Sequence, residues 1–195
     1  MNTALLPILE SAVLVVAAPL CGVALATRRF RDAAPAVTLF AVALSISAAA
    51  TLVSPPSPAN TMRLVLASHA TLAMIGLALA AFGAWLGSVC RDPLDAAALS
   101  VSAALVAALG LFVAGPLVTD LPAPIVNAAL SANPIVAAAS AADVDLLRID
   151  LLYRISPLAH RSFEYPAWYS PLALYGAVLV VSLAATARTF RKGWL

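Results

Sequence analysis

Residues 64–90, LVLASHATLAMIGLALAAFGAWLGSVC, form a charge-free run that decides the fold class of this chain. A helix needs about 20 apolar residues to cross about 30 Å of hydrocarbon, and this run is longer than that. Its frequent alanines and glycines are typical of helices that pack closely together inside a membrane. The run therefore predicts a transmembrane helix.

Four further runs of the same character lie on either side of it. Overall, 63% of the residues are hydrophobic and 10% are charged, whereas soluble domains have about 45–50% and about 25%. This composition argues against a soluble enzyme, a disordered chain and a nucleic-acid-binding protein. We expect an all-α, polytopic integral membrane protein that forms a single transmembrane domain over residues 1–195. Its predicted spans are residues 4–27, 35–53, 64–90, 96–119 and 171–187.

The basic residues predict the orientation of the spans, because cytoplasmic connections carry an excess of arginine and lysine. One side of the predicted spans carries Arg28, Arg29, Arg31, Arg91, Arg188, Arg191 and Lys192. The other side carries Arg63, Arg148, Arg154 and Arg161. We therefore expect the C-terminus in the cytoplasm and the N-terminus outside. The arginine- and alanine-rich composition is typical of a GC-rich bacterial genome, which points to the bacterial cytoplasmic (inner) membrane.

The segment 120–170 is the one long connection between predicted spans, and it should lie on the outer side. Loops longer than about 15 residues without structure of their own are uncommon. Prolines divide this segment, and residues 125–142 between them are mostly apolar. We expect short re-entrant or interfacial helices there, followed by a second short helix over 143–155 that carries an Asp150–Arg154 ion pair.

Two polar residues inside predicted spans are candidates for a translocation path. Glu10 has two interpretations, an interfacial carboxylate stabilised by the helix dipole or an intramembrane functional group. His69 could form an interhelical hydrogen bond or line the same path. A haem or metal site is a weaker interpretation, since the other histidine, His160, lies in the outer segment. We expect no catalytic, cofactor-binding or metal-binding residues in this chain.

Glycines mark the expected sites of close helix packing. Gly83 and Gly87 form a GxxxG pattern, and Gly76 lies one heptad earlier on the same run. Gly110 and Ala114 repeat the small-residue spacing in the next span. Such patterns let two helix backbones approach closely. Whether the partner helix belongs to the same chain or to a second copy stays open at this point.

Three stretches carry a family resemblance. Residues 77–101, LALAAFGAWLGSVCRDPLDAAALSV, are paired spans joined by a short charged turn. Residues 133–137, NPIVA, form an asparagine–proline element, and residues 165–175, YPAWYSPLALY, form an aromatic approach to the last span. Over residues 60–195 the chain resembles the permease subunit of ABC-2 type ATP-binding cassette transporters. On this resemblance, we expect the chain to lack the usual first span of that family.

The resemblance implies a transport function without an ATPase site in this chain. A separate cytoplasmic ATP-binding cassette ATPase would bind ATP and magnesium and would drive alternating access or lateral extrusion of a substrate. The permease would work as a homodimer or heterodimer in the lipid bilayer, with no nucleic-acid partner. The implied outer re-entrant element contains Asn133 and Pro134. The implied ATPase-coupling loop consists of Arg28, Arg29, Arg31 and Asp32.

Other interpretations remain beside the transporter. The arginines of the first loop could serve only as topology anchors that meet anionic lipid headgroups. The whole chain could be a non-transporting accessory or assembly subunit of a larger membrane complex. An electron-transfer subunit is a weaker third interpretation, because the chain has only 2 histidines.

Overall fold

The computed structural model describes residues 6–27, 58–113, 121–146 and 165–192, and all regular secondary structure in these ranges is helical. Four of the helices, α1, α2, α3 and α6, are long and apolar enough to cross a membrane. The protein is therefore an all-α polytopic membrane protein, as the composition predicts. The helices are α1 Leu6–Ala26, α2 Pro58–Val89, α3 Pro93–Val113, α4 Ala123–Ala132, α5 Pro134–Ala141 and α6 Tyr169–Lys192.

The turn between α2 and α3 shows how local sequence sets the helix bounds. Pro93 occupies the first position of α3, where its missing N–H leaves no helical hydrogen bond unmade. Asp92 caps the helix, because its Oδ1 accepts a hydrogen bond from the Leu94 N–H at 2.9 Å. As a result α3 begins before residue 96. The predicted span 35–53 and the end of the span 96–119 lie outside the described residues.

Helices α1 and α2 run in the same direction. Pro19 lies against Gly83 and, further along both helices, Ala26 lies against Gly87. Because the residue numbers of the contacting positions increase in the same direction along both helices, the two helices are parallel. The end of α1 and the start of α2 are consequently at opposite ends of the pair.

The core contains residues of all four spanning helices and of α5, and alanines of α1, α2, α3 and α5 make up half of it. The hydrophobic effect does not hold helices together inside a lipid bilayer. Close van der Waals packing does so instead, and alanine-rich helices can approach closely enough for it. Ala137 and Ala138 of α5 are completely buried, so α5 lies inside the bundle and not on its surface. The core residues are Leu14, Val15, Ala18, Leu72, Ile75, Ala78, Leu79, Ala104, Ala108, Ala137, Ala138 and Tyr175.

The bundle has two ends, which are named here after one arginine each. At the Arg63 end, α1 and α2 begin, and residues 166–168, just before α6, line the same cleft as Arg63. At the Arg91 end, α1 and α2 finish and α3 begins. Helix α6 packs along α2, so Arg188 near its C-terminus belongs to the Arg91 end. The Arg91 end corresponds to the side predicted to be cytoplasmic.

Candidate functional site in the re-entrant hairpin

Helices α4 and α5 form a bent pair, called here the re-entrant hairpin, with an angle of 89° between its two arms. Asn133 ends α4 and begins α5, with φ −80° and ψ 117°. This extended conformation follows from the proline after it, which disfavours the helical region for the preceding residue. Pro134 then starts α5 without leaving an N–H unsatisfied. The Asn–Pro pair therefore both breaks the helix and restarts it.

The Asn133 side chain holds the vertex of the hairpin in place. Its Oδ1 accepts hydrogen bonds from the N–H groups of Ile135 at 2.9 Å and Val136 at 3.1 Å. Its Nδ2 donates to the carbonyl oxygen of Ala108 in α3 at 2.8 Å. The side chain is completely buried, where an unsatisfied amide would be costly. Asn133 thus caps α5 and attaches the hairpin to α3.

Replacing Asn133 by alanine should destabilise the protein by about 2 kcal/mol. The change removes a helix N-cap, typically worth about 1 kcal/mol, and a buried hydrogen bond of similar size. Thermal unfolding in detergent measures the effect. The matched control is Asn127→Ala on the exposed part of α4, which should unfold like the wild type. An Asn133→Ala protein that unfolds with the control would contradict this role.

Two hydrogen bonds join the hairpin to the start of α6. The Tyr175 hydroxyl donates to the Ala132 carbonyl oxygen at 2.7 Å, and the Ser131 and Ser170 hydroxyl oxygens are 3.3 Å apart. Tyr175 lies nearly two turns into α6, so at 1.5 Å per residue the vertex reaches about 9 Å into the bundle from the start of α6. The hairpin therefore enters the apolar region from the Arg63 end.

The second arm of the hairpin returns to the same end. The Ser140 hydroxyl donates to the carbonyl oxygen of Pro166, just before α6, at 2.5 Å. Helix α5 then ends in a Schellman motif, in which the Val144 N–H bonds to the Ala139 carbonyl oxygen at 2.9 Å. Since the first arm bonds to the start of α6 and the second arm bonds to the residue Pro166 just before it, both arms lie at the Arg63 end, as in a re-entrant pair.

The helix predicted over 143–155 does not begin where the sequence pattern placed it. Asp143 has φ 56°, a left-handed conformation that ends α5 and is incompatible with starting a new helix. Asp145, two residues on, accepts a hydrogen bond from the Tyr165 hydroxyl at 2.8 Å. The remainder of that predicted helix, with its Asp150–Arg154 pair, lies outside the described residues.

Glu10 and His69 belong to α1 and α2 and are not part of the hairpin itself. Glu10 is half-buried near the start of α1. His69 of α2 bonds through Nδ1 to the Val65 carbonyl oxygen at 2.8 Å, and its Nε2 is buried without a hydrogen-bond partner in the described part of the chain. The loop of Arg28, Arg29, Arg31 and Asp32 lies outside the described residues.

The glycine pattern of α2 packs against α1 of the same chain. A Cβ on Gly83 would collide with the carbonyl group of Pro19, and one on Gly87 would come within 3.0 Å of the Ala26 Cβ. Gly76 is also buried. At Gly110, in contrast, the nearest atom to a Cβ is a side-chain atom of Val106 at 3.7 Å, an ordinary contact within its own helix.

Gly22 of α1 is a packing residue that the sequence analysis missed. A Cβ there would overlap the carbonyl oxygen of Ala80 and approach the backbone nitrogen of Ala84 to 2.7 Å. A signal for it is present, because Ala18, Gly22 and Ala26 place small residues four positions apart on one helix face. The GxxxG helix and this face form one intrachain interface.

Among the described residues, clefts open at the Arg63 end on both sides of residues 165–167. The Arg63 cleft, of about 430 Å³, lies between α2, the end of α5 and the approach to α6. The second cleft, of about 830 Å³, lies between α4 and the start of α6. The Arg63 cleft is lined by Arg63, Leu64, Ala67, Ser140, Ala141, Asp143, Tyr165, Pro166, Ala167 and Trp168.

Metal-ligating side chains are not clustered in the described residues, where no three of histidine, cysteine, aspartate and glutamate could hold one ion. Cys21 and Cys90 are free thiols. Comparison of the chain with protein-family models, with curated proteins and with solved structures found no match.

Proposed function

We propose that the protein is the membrane-spanning permease subunit of an ABC-2 type ATP-binding cassette transporter in the bacterial cytoplasmic membrane. The observation that carries the proposal is the re-entrant hairpin between α3 and α6, with its vertex at Asn133. The family that the sequence resembles has short re-entrant helices on the outer face between its last two spans. A hairpin at that place in the chain, built on the same Asn–Pro element, supports the assignment.

The hairpin would act as a fixed closure of the outer end of the bundle. Its second arm is buried among α1, α2 and α3, and Ala137 and Ala138 belong to the core. Hydrogen bonds from Asn133 and Tyr175 attach the vertex to α3 and α6. A substrate released at this end would have to pass beside this element, either by alternating access or by lateral extrusion. Glu10 and His69 remain candidates for residues along the path.

The α1–α2 pair offers a mechanical link from the opposite end. The predicted coupling loop follows directly on α1, whose last turn lies against Gly87 of α2. Leu14 of α1 and Ile75 of α2 share a core cluster with Ala137 of the hairpin. Because closely packed backbones move together, a displacement of the loop would shift both helices against the hairpin. The chain would supply the path and the coupling surface, while the ATPase supplies the energy.

Affinity purification from native membranes tests the proposal. The tagged chain, extracted in mild detergent, should copurify with an ATP-binding cassette ATPase, and the complex should hydrolyse ATP in a vanadate-sensitive manner. A second permease chain, or a second copy of this one, should be present in the same complex. Purification with other membrane subunits and without any ATPase would overturn the proposal in favour of an accessory subunit.

A further inference from the structure

The Arg63 cleft lies near the starts of α2 and α6, two helices that are long and apolar enough to cross a membrane. Arg63 immediately precedes the charge-free run 64–90 of α2, and Trp168 immediately precedes α6, which begins at Tyr169. Both lining residues therefore stand at the edge of an apolar helical segment. Arginine and tryptophan at such positions meet the polar region of the bilayer.

The cleft carries two opposite charges on different elements. Arg63 comes from α2, and Asp143 comes from the turn that ends α5. Both side chains are exposed, and within the described part of the chain no ion pair joins them. The left-handed backbone of Asp143, with φ 56°, orients this residue at the end of the hairpin. A bound group with a negative and a positive end could therefore meet both side chains at once.

An apolar stripe for acyl chains continues from Arg63 into the membrane. Leu66, Ala70, Ala73 and Leu77 follow Arg63 at spacings of three or four residues, which places them on one face of α2. All four are exposed, Leu66 at 63% and Leu77 at 56%. A headgroup in the cleft would therefore have its chains directly along this face.

We propose that the Arg63 cleft binds a zwitterionic phospholipid of the phosphatidylethanolamine type. The guanidinium of Arg63 would donate paired hydrogen bonds to the phosphate oxygens. The carboxylate of Asp143 would accept hydrogen bonds from the ammonium group. Phosphatidylglycerol has the same phosphate but an uncharged end, so it would leave Asp143 without a cation and place a net negative charge beside it. The cleft thus selects for a zwitterion over an anion, and this inference is independent of the proposed transport function.

Native mass spectrometry of the purified protein tests the lipid selectivity. The protein is titrated with phosphatidylethanolamine or phosphatidylglycerol that carry identical chains. We expect the wild type to retain phosphatidylethanolamine about tenfold better, the effect of one lost charge-assisted contact. Arg63→Gln should lower retention of both lipids about tenfold, because both use the phosphate. Asp143→Asn should remove the difference between them, and asparagine also tolerates the left-handed backbone.

Two controls make the result specific to the cleft. Arg188→Gln, at the Arg91 end, should leave lipid retention unchanged. Soluble phosphoethanolamine, which lacks acyl chains, should not displace the lipid at millimolar concentration, and displacement would overturn the lipid assignment in favour of a free headgroup ligand. Equal retention of the two lipids by the wild type would also overturn the proposal. So would an Arg63→Gln protein that is folded by circular dichroism and retains both lipids normally.

Discussion

Alanine at Gly22 or at Gly83 is expected to destabilise the protein by about 3 kcal/mol or more, which is the upper part of the range for overpacked sites. A Cβ at Gly22 would overlap the carbonyl oxygen of Ala80, and one at Gly83 would overlap that of Pro19. Both obstacles are backbone atoms, which cannot rotate away as a flexible side chain could. The parallel helices α1 and α2 would have to separate, and the core contacts between them would weaken.

The loss should be visible as a lower yield of monodisperse protein after detergent extraction and as a lower unfolding temperature. Gly176→Ala in α6 is the matched control, because no atom lies within 4 Å of its added Cβ. Gly110→Ala is a second control, with only an ordinary contact at 3.7 Å. Alanine favours a helix over glycine by up to about 1 kcal/mol, so both controls should be unchanged or stabilised. If all four variants behave alike, the close α1–α2 approach does not determine stability.

The second large effect concerns the predicted ATPase-coupling loop. Replacing Arg28 and Arg31 together by alanine should weaken ATPase association about 100-fold or more. Each arginine would lose charge-assisted hydrogen bonds to the ATPase, worth about 1.5–3 kcal/mol, and about 1.4 kcal/mol corresponds to a tenfold change. Membrane insertion should survive, because Arg29 and the other basic residues still favour the cytoplasmic side. Copurification of the ATPase at fixed salt measures the effect.

The matched control for that experiment is the double change Arg148→Ala with Arg154→Ala in the predicted outer segment. It removes the same number of positive charges and should leave ATPase association unaltered. Labelling of single cysteines in intact cells checks that both variants keep the wild-type orientation. Full association of the loop variant, with its orientation unchanged, would assign these arginines to lipid anchoring alone.

Local chemistry determined several features that were readable from the sequence. Charge-free runs predict spanning helices because a helix satisfies its own backbone hydrogen bonds where no water is available. The described helices α1, α2, α3 and α6 follow these runs. The break at Asn133 and Pro134 is also local, since proline restricts the residue before it and asparagine caps the helix that follows. The end of α5 could not be predicted from the sequence, because Asp143 adopts a left-handed conformation that glycine more often occupies.

Only the tertiary structure decided which surfaces meet. The helices are rich in alanine on every face, so the sequence offered a small-residue spacing at Gly110 as well as at Gly83 and Gly87. The fold uses the latter two against α1 and brings Gly22 to the same interface. It also joins Arg63 and Asp143, which are distant in sequence, in one cleft. Periodicity along one helix records which side chains share a face, whereas the choice of partner depends on the shapes of two backbones at once.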